Sequence, residues 1–239
     1  MLMEPDSHLL VSGQPEVRRK YLDWGMFHVE HGFLSTWRRY SKALKQRNAA
    51  LRRGQAAVLD SLDAVLAEEG EELTRLRRAH GESVQRRIEE MLSDLGSGLP
   101  EVRLEYQPGW SGKNFGEALQ RNRERDLERG QTLAGPHRAD LVMLCGKVPA
   151  RAVLSRGEQK VLAAALLLTQ GELLAAQGET PLALLDDLAS EFDQRHYTRV
   201  LERTLETGAQ VWVTGTRPQQ AEEDRAVFHV EQGEVRRVV

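Results

Sequence analysis

A chain of 239 residues with 40% apolar composition can bury one large core or two ordinary ones, which excludes a disordered or fibrous protein. The single cysteine, Cys145, excludes an internal disulfide, the start Met1 to Asp6 lacks the pattern of a signal peptide, and the longest apolar run, Val161 to Leu168, is far short of the ~20 residues that cross a bilayer, so a cytoplasmic protein without membrane insertion is expected. A net charge of -3 excludes a chain that is basic throughout.

The elements follow in chain order. Phe33, Trp37, Tyr40, Leu44, Asn48 and Leu51 recur at intervals of three and four, which predicts an amphipathic helix over 33–53. The charge is concentrated here: residues 18 to 53 hold ten Lys or Arg against two acids, whereas residues 60 to 99 hold five against ten. This segment reads either as a surface that tracks phosphates, with Arg38, Arg39, Lys42, Lys45 and Arg47 as candidate DNA contacts, or as a solvated helix face balanced by the acids that follow. A longer period through Val58, Leu62, Leu66, Leu73, Leu76, Val84, Ile88, Met91 and Leu95 predicts a second helix, with Gly70 and Gly81 as weak points. Two helices joined near Gly54 would pack antiparallel as a helical arm.

Beyond Pro100 the texture becomes mixed. Alternation at Val102, Leu104 and Tyr106 predicts a strand, Ala118 to Arg129 a charged helix, and Leu141 to Leu144 a strand before a Gly146-Lys147 turn. Leu182 to Leu185 shows no alternation and is expected to be covered on both faces. Gln210 to Thr214 predicts a strand parallel to it, reached through a helix containing Tyr197, Val200, Leu201 and Leu205 and ended by Gly208. Val227 to Glu231 and Val235 to Val239 around Gln232-Gly233 predict a hairpin.

Two motifs carry chemistry. Ser155 stands before a long helical run with Glu158 three residues later, the spacing of a capping box, so the helix presents its free amides and positive dipole end outward. Such an end suits an anion, and Gly157 lets one approach closely; most capped helices nevertheless bind nothing. Asp186 and Asp187 close an apolar strand at the sheet edge where ligands of open α/β folds bind. One carboxylate there could hold Mg2+ through water and the next orient an attacking water; the bland alternative is a turn-forming pair. Ser190-Glu191-Phe192-Asp193 follows. No Gly-x-x-x-x-Gly-Lys-Ser/Thr occurs between Met1 and Val239, and Ser111-Gly112-Lys113-Asn114 lacks both the glycine spacing and the following hydroxyl.

In this order the motifs resemble the ABC-type ATPase heads of SMC, Rad50 and RecF proteins: Leu154 to Gln159 their signature motif, Leu182 to Asp187 their Walker B strand, Ser190 to Asp193 their D-loop. Within them the chain most resembles the RecF family, through Arg18 to Glu30, Leu44 to Asn48, and Arg129 to Leu141. The resemblance implies an α/β fold: a partial ABC-type, P-loop NTPase head with an inserted all-α antiparallel arm. It divides the chain into head residues 1–30, arm residues 31–99 and the C-terminal part of the head, 100–239, with the family's Walker A loop in a segment that this sequence does not contain.

The resemblance also implies ATP sandwiched between two heads of a homodimer. Ser155, Gly157, Glu158 and Gln159 would meet nucleotide in trans, Asp186 would serve Mg2+, Asp187 the water, and Ser190 and Asp193 would form the D-loop, Asp193 across the interface. Gly215 stands where many such heads carry a histidine. The implied role is recombination mediation at junctions of single- and double-stranded DNA with RecO and RecR, with little ATP turnover expected of this chain alone. The alternative is a non-catalytic adaptor that docks partners. His28 and His31 lack a third clustered metal ligand; Trp24, Phe27, Phe33 and Trp37 read as core or as base-stacking rings. His137 and Arg138 read as structural or as ligand contacts.

Overall fold

The computed structural model describes residues 1–216 and 226–238. The chain opens with strand β1 (Leu2–Met3), then helices α1 (Leu9–Ser12), α2 (Pro15–Val29), α3 (Phe33–Arg52) and α4 (Leu59–Asp94). Strand β2 (Val102–Gln107), helix α5 (Phe115–Arg129), strands β3 (Asp140–Cys145) and β4 (Val148–Pro149) and helices α6 (Ala150–Val153) and α7 (Arg156–Ala175) follow. The last elements are β5 (Leu182–Leu185), α8 (Leu188–Glu191), α9 (Gln194–Glu206), β6 (Gln210–Val213), β7 (Phe228–Glu231) and β8 (Glu234–Arg237). Among the described residues no helix is long and apolar enough to cross a membrane.

Strands β1, β5 and β6 make a parallel sheet in that order, with Met3 opposite Leu185 and Leu185 opposite Val213. Strands β2, β3 and β4 make an antiparallel one. The expected parallel β5–α9–β6 unit is present, and Gly208 follows α9 in the left-handed conformation, with φ 72°. Strand β1 and helix α2 have no counterpart among the elements read from the sequence. Helix α2 begins with Pro15 at a first-turn position, where the missing N–H has no helical partner to lose.

Helix α4 is one uninterrupted rod of 36 residues, on the order of 54 Å long. Gly70 is no weak point but a contact: a Cβ there would lie 2.6 Å from the Phe115 ring. The helix packs on α3, α2, α5, α7 and β2, and a single buried cluster runs through Leu66, Leu73, Ile88, Phe115, Leu141 and Leu166.

The buried stripe of α3 is Phe33, Thr36, Tyr40, Ala43, Arg47 and Leu51. It is rotated from the expected one: Trp37 is 40% exposed, while Asn48 turns inward to accept hydrogen bonds from the Thr132 amide (2.8 Å) and hydroxyl (2.7 Å). Arg47 corrects its sequence assignment as a DNA contact. Its side chain is fully buried, with Nε 2.5 Å from Asp63 and Nη1 2.6 Å from Asp126 and 2.8 Å from the Thr132 hydroxyl. With the whole guanidinium shut away from solvent, even its unpartnered Nη2 cannot reach a phosphate outside.

Strand β5 also differs from expectation. Ala183 and Leu185 are buried, but Leu182 and Leu184 are 47% and 40% exposed, beside the similarly open Leu2 and Trp212. In the described chain one face of this strand is open, with Leu2, Leu184 and Trp212 side by side on it. The C-terminal hairpin turns on Gln232 and Gly233, both at positive φ, as a two-residue turn requires. Its expected last residue, Val239, lies outside the described residues.

Candidate functional site

The parallel pairing of β5 and β6 brings the acid pair and Thr214 to one sheet edge. The Asp186 amide donates to the Met3 carbonyl at 2.8 Å, so the short strand β1 anchors the pair from its other side. The Thr214 hydroxyl donates to Asp186 Oδ1 at 2.5 Å and accepts from the Asp187 amide at 3.1 Å. Asp187 adopts the left-handed conformation, φ 48° and ψ 36°, which an L-residue with a Cβ enters at a cost of about 1–3 kcal/mol. The Ser190 hydroxyl donates to its Oδ1 at 2.9 Å. Thus Ser190 and Asp187, read separately from the sequence as D-loop and catalytic base, are in direct contact.

Asp193 caps α9. Its Oδ1 accepts from the His196 amide at 2.8 Å, and the imidazole lies 3.0 Å away; the backbone hydrogen bond first, then the ring, holds this carboxyl below its ordinary value.

At the start of α7 the predicted capping box is formed. Glu158 Oε2 accepts from both the Ser155 amide (2.7 Å) and the Ser155 hydroxyl (2.6 Å), and these bonds lower the Glu158 carboxyl. An internal carboxylate therefore occupies the Ser155 hydroxyl, one of the donors an anion at this helix start would use. Gln159 Nε2 donates to the Leu154 carbonyl at 2.8 Å and fixes the approach to the helix. Gly157 has nothing within 4 Å of where a Cβ would be, so the surrounding fold does not need a glycine there.

Two residues the sequence reading missed join these parts. Lys160 Nζ lies 2.7 Å from Glu191, tying α7 to α8, and both line a small cavity with Asp186, Met3 and Phe192. The signal for Lys160 was its helical position, one turn after the capped start. Thr214 could have been found from the parallel register, which puts the residue after Val213 opposite Asp186.

The donor set suits Mg2+ of one kind. Among the described residues no three His, Cys, Asp or Glu converge, so the chain offers two carboxylates and no closed cage. Magnesium keeps most of its waters and is held by one or two carboxylates plus substrate phosphates, and this pair fits that mode.

On α3 the residues Arg38, Lys42, Lys45 and Arg52 are exposed and lie opposite the buried stripe, with no acid on that helix. Arg39 sits to one side and is paired with Glu69. Of the aromatic candidates Phe33 is core, Trp24 is half-buried with its ring 4.5 Å from that of His28, and Phe27 and Trp37 are exposed. His137 is structural: the Tyr40 hydroxyl and the Thr132 carbonyl hold its two nitrogens at 2.7 and 3.0 Å, and burial lowers its pKa to about 4.

No protein-family profile matches the chain. Curated relatives do. The chain is 48% identical to the DNA replication and repair protein RecF of Stenotrophomonas maltophilia (strain R551-3), over 97% of its own length and 66% of that protein's. It is 45% identical to the RecF of Xanthomonas euvesicatoria pv. vesicatoria (strain 85-10), over 98% and 66%, and 38% identical to that of Marinomonas sp. (strain MWYL1), over 91% and 60%. Among solved structures, the recombination mediator protein RecF-ATP in the RecFOR pathway superposes with a TM-score of 0.88 at 25% identity, covering 100% of this chain and 67% of that one. The RecF-ATPrS structure gives 0.86 over the same shares. The fold is that of the RecF ATPase head in part, and the chain spans just under two thirds of the curated relatives it matches: it belongs to the RecF family.

Proposed function

We propose that this chain supplies two surfaces of a RecF-type, ATP-dependent DNA-repair and replication factor. One is the nucleotide-facing edge of an ATPase head and the other a DNA-tracking arm. The observation that carries the first is the convergence at one sheet edge of Asp186, left-handed Asp187, Ser190 and Thr214. Asp187 is held in its strained conformation by the Ser190 hydroxyl on its carboxylate and the Thr214 hydroxyl on its amide, and strained residues cluster at functional sites.

In this reading Asp186 holds Mg2+ through its waters, and the ion, when bound, neutralises charge on the phosphates. Asp187, aimed by its own backbone and by Ser190, orients the attacking water and accepts its proton. Across a homodimer interface Ser155, Gly157, Glu158 and Gln159 form the surface that meets the γ-phosphate of the facing head, and Asp193 adjoins it. For the Ser155 hydroxyl to turn to a phosphate, its bond to Glu158 must open. Gly157 supports this role because neighbouring packing leaves its Cβ position empty, whereas alanine would suit the helix better.

Phosphates of DNA would lie along Arg38, Lys42 and Lys45 on the arm, residues 31–99, with Arg39 a weaker contact because Glu69 already holds it. The relatives' place in a recombination pathway supports gapped or junction DNA as the target, with RecO and RecR as partners.

The test adds to this chain a segment of a full-length relative that bears the phosphate loop. Turnover should be negligible without it, appear with it, and vanish in Asp187→Asn. Substantial turnover by the chain alone, or none in the mixture despite binding of the two, refutes the hydrolytic reading; the second result favours an adaptor.

A further inference from the structure

We propose that Thr214 is the positioning residue of the acid pair, one hydroxyl setting both aspartates; this rests on the hydrolytic reading above. Thr214 continues β6 by one residue, its amide donating to the Leu185 carbonyl at 3.0 Å. That bond fixes the backbone, so the side chain stands directly across from the end of β5. A hydroxyl has one proton to give and lone pairs to receive. Here the proton goes to Asp186 Oδ1 at 2.5 Å and a lone pair takes the Asp187 amide at 3.1 Å.

Each bond has a separate effect. The first commits Oδ1 and leaves Oδ2 of Asp186 as the oxygen available to the waters of a divalent ion, so the carboxylate cannot rotate freely. The second gives an acceptor to an amide that the left-handed turn at Asp187 removes from the sheet ladder. That turn in turn directs the Asp187 carboxylate, which Ser190 steadies from the other side. Gly215 follows Thr214 and has no side chain to share the task. The arrangement is a clamp from the neighbouring strand. Valine has nearly the shape of threonine without the hydroxyl, and serine has the hydroxyl without the methyl, so the two substitutions separate chemistry from packing.

Wild type, Thr214→Val and Thr214→Ser are compared in three ways. These are Mn2+ affinity of the full chain by electron paramagnetic resonance, hydrogen exchange at the Asp187 amide, and kcat and KM for ATP after addition of the phosphate-loop segment. Loss of an outer hydrogen-bond partner commonly lowers metal affinity or activity by about 10- to 100-fold. Thr214→Val should weaken Mn2+ binding and lower kcat by about that factor while KM stays close to wild type, and the Asp187 amide should exchange faster. Thr214→Ser should stay near wild type throughout. The proposal is overturned if Thr214→Val matches wild type in Mn2+ affinity, if Thr214→Ser fails as badly as Thr214→Val, or if wild type binds no Mn2+ at millimolar concentration. Wild-type binding without turnover refutes the hydrolytic reading alone, and the Mn2+ and exchange ratios still decide the role of Thr214.

Discussion

Arg47 Nη1 lies 2.6 Å from Asp126 Oδ2, and neither side chain has any solvent exposure. The bond joins α3 to α5, and Asp63 of α4 completes the group on Nε. Removing the cation leaves the buried Asp126 without its counter-ion and Asp63 with Arg123 alone. Arg47→Ala is expected to destabilise the chain by about 3–5 kcal/mol, read as a drop in the urea midpoint. Arg47→Lys keeps the charge but not the fork, and should fall between alanine and wild type. Equal stability of all three would show that the buried network holds nothing together.

The outward face of α3 should behave oppositely. Arg38, Lys42, Lys45 and Arg52 are exposed, so alanine at any one should leave thermal stability within about 0.5 kcal/mol of wild type. Three phosphate contacts, at Arg38, Lys42 and Lys45, predict that log K for duplex DNA falls with log salt at a slope of roughly -2.7, and alanine at each of the three should reduce that slope by about 0.9. A slope near zero in wild type assigns DNA binding to another surface.

Gly157→Ala separates fold from function at α7. With open space at the Cβ position, alanine should leave stability unchanged or raise it by about 0.4–1 kcal/mol. In a reconstituted dimer the added methyl should obstruct the approach of the facing nucleotide and lower turnover. A variant both more stable and fully active would remove Gly157 from the nucleotide-facing surface.

Stability should fall on mild acidification. Burial lowers His80 and His137 from 6.5 to about 4, so the folded state keeps both rings neutral where the unfolded chain takes up protons. Between pH 6.5 and 4 the unfolded state binds more protons, and stability decreases as pH falls through that window. Each ring contributes on the order of 3 kcal/mol across the whole window, with a plateau above pH 6.5. His80→Gln should flatten the upper part of the curve, measured by urea unfolding from pH 7 to pH 5; an unchanged curve would place the proton uptake elsewhere.

Local signals were legible where local physics decides. The capping box at Ser155 and Glu158, the helix expected over 33–53 and the parallel β5–β6 pair follow from spacing, and the structure forms all three, the helix ending at Arg52. Arg47 was misread because a buried arginine and a surface arginine are the same letter, and only Asp63 and Asp126, 16 and 79 residues away, tell them apart. Strand β1 was missed because two residues carry no period; it exists through pairing with a strand about 180 residues later. Thr214 was overlooked for the same reason, since its partners become neighbours only in the sheet. The order of Leu154 to Gln159, the acid pair and Ser190 to Asp193 is visible in the sequence, but the way Glu158 covers Ser155 required side-chain positions.

The unbroken course of α4 determines how distant parts of this chain can speak to one another. One rod packs on both α3 and α7, and Phe115 is pressed against it at Gly70. It has no elbow at which a load could be absorbed by bending. A displacement of α3 is therefore expected to reach α7 as a tilt of the whole rod, and a single proline in mid-rod should uncouple the two.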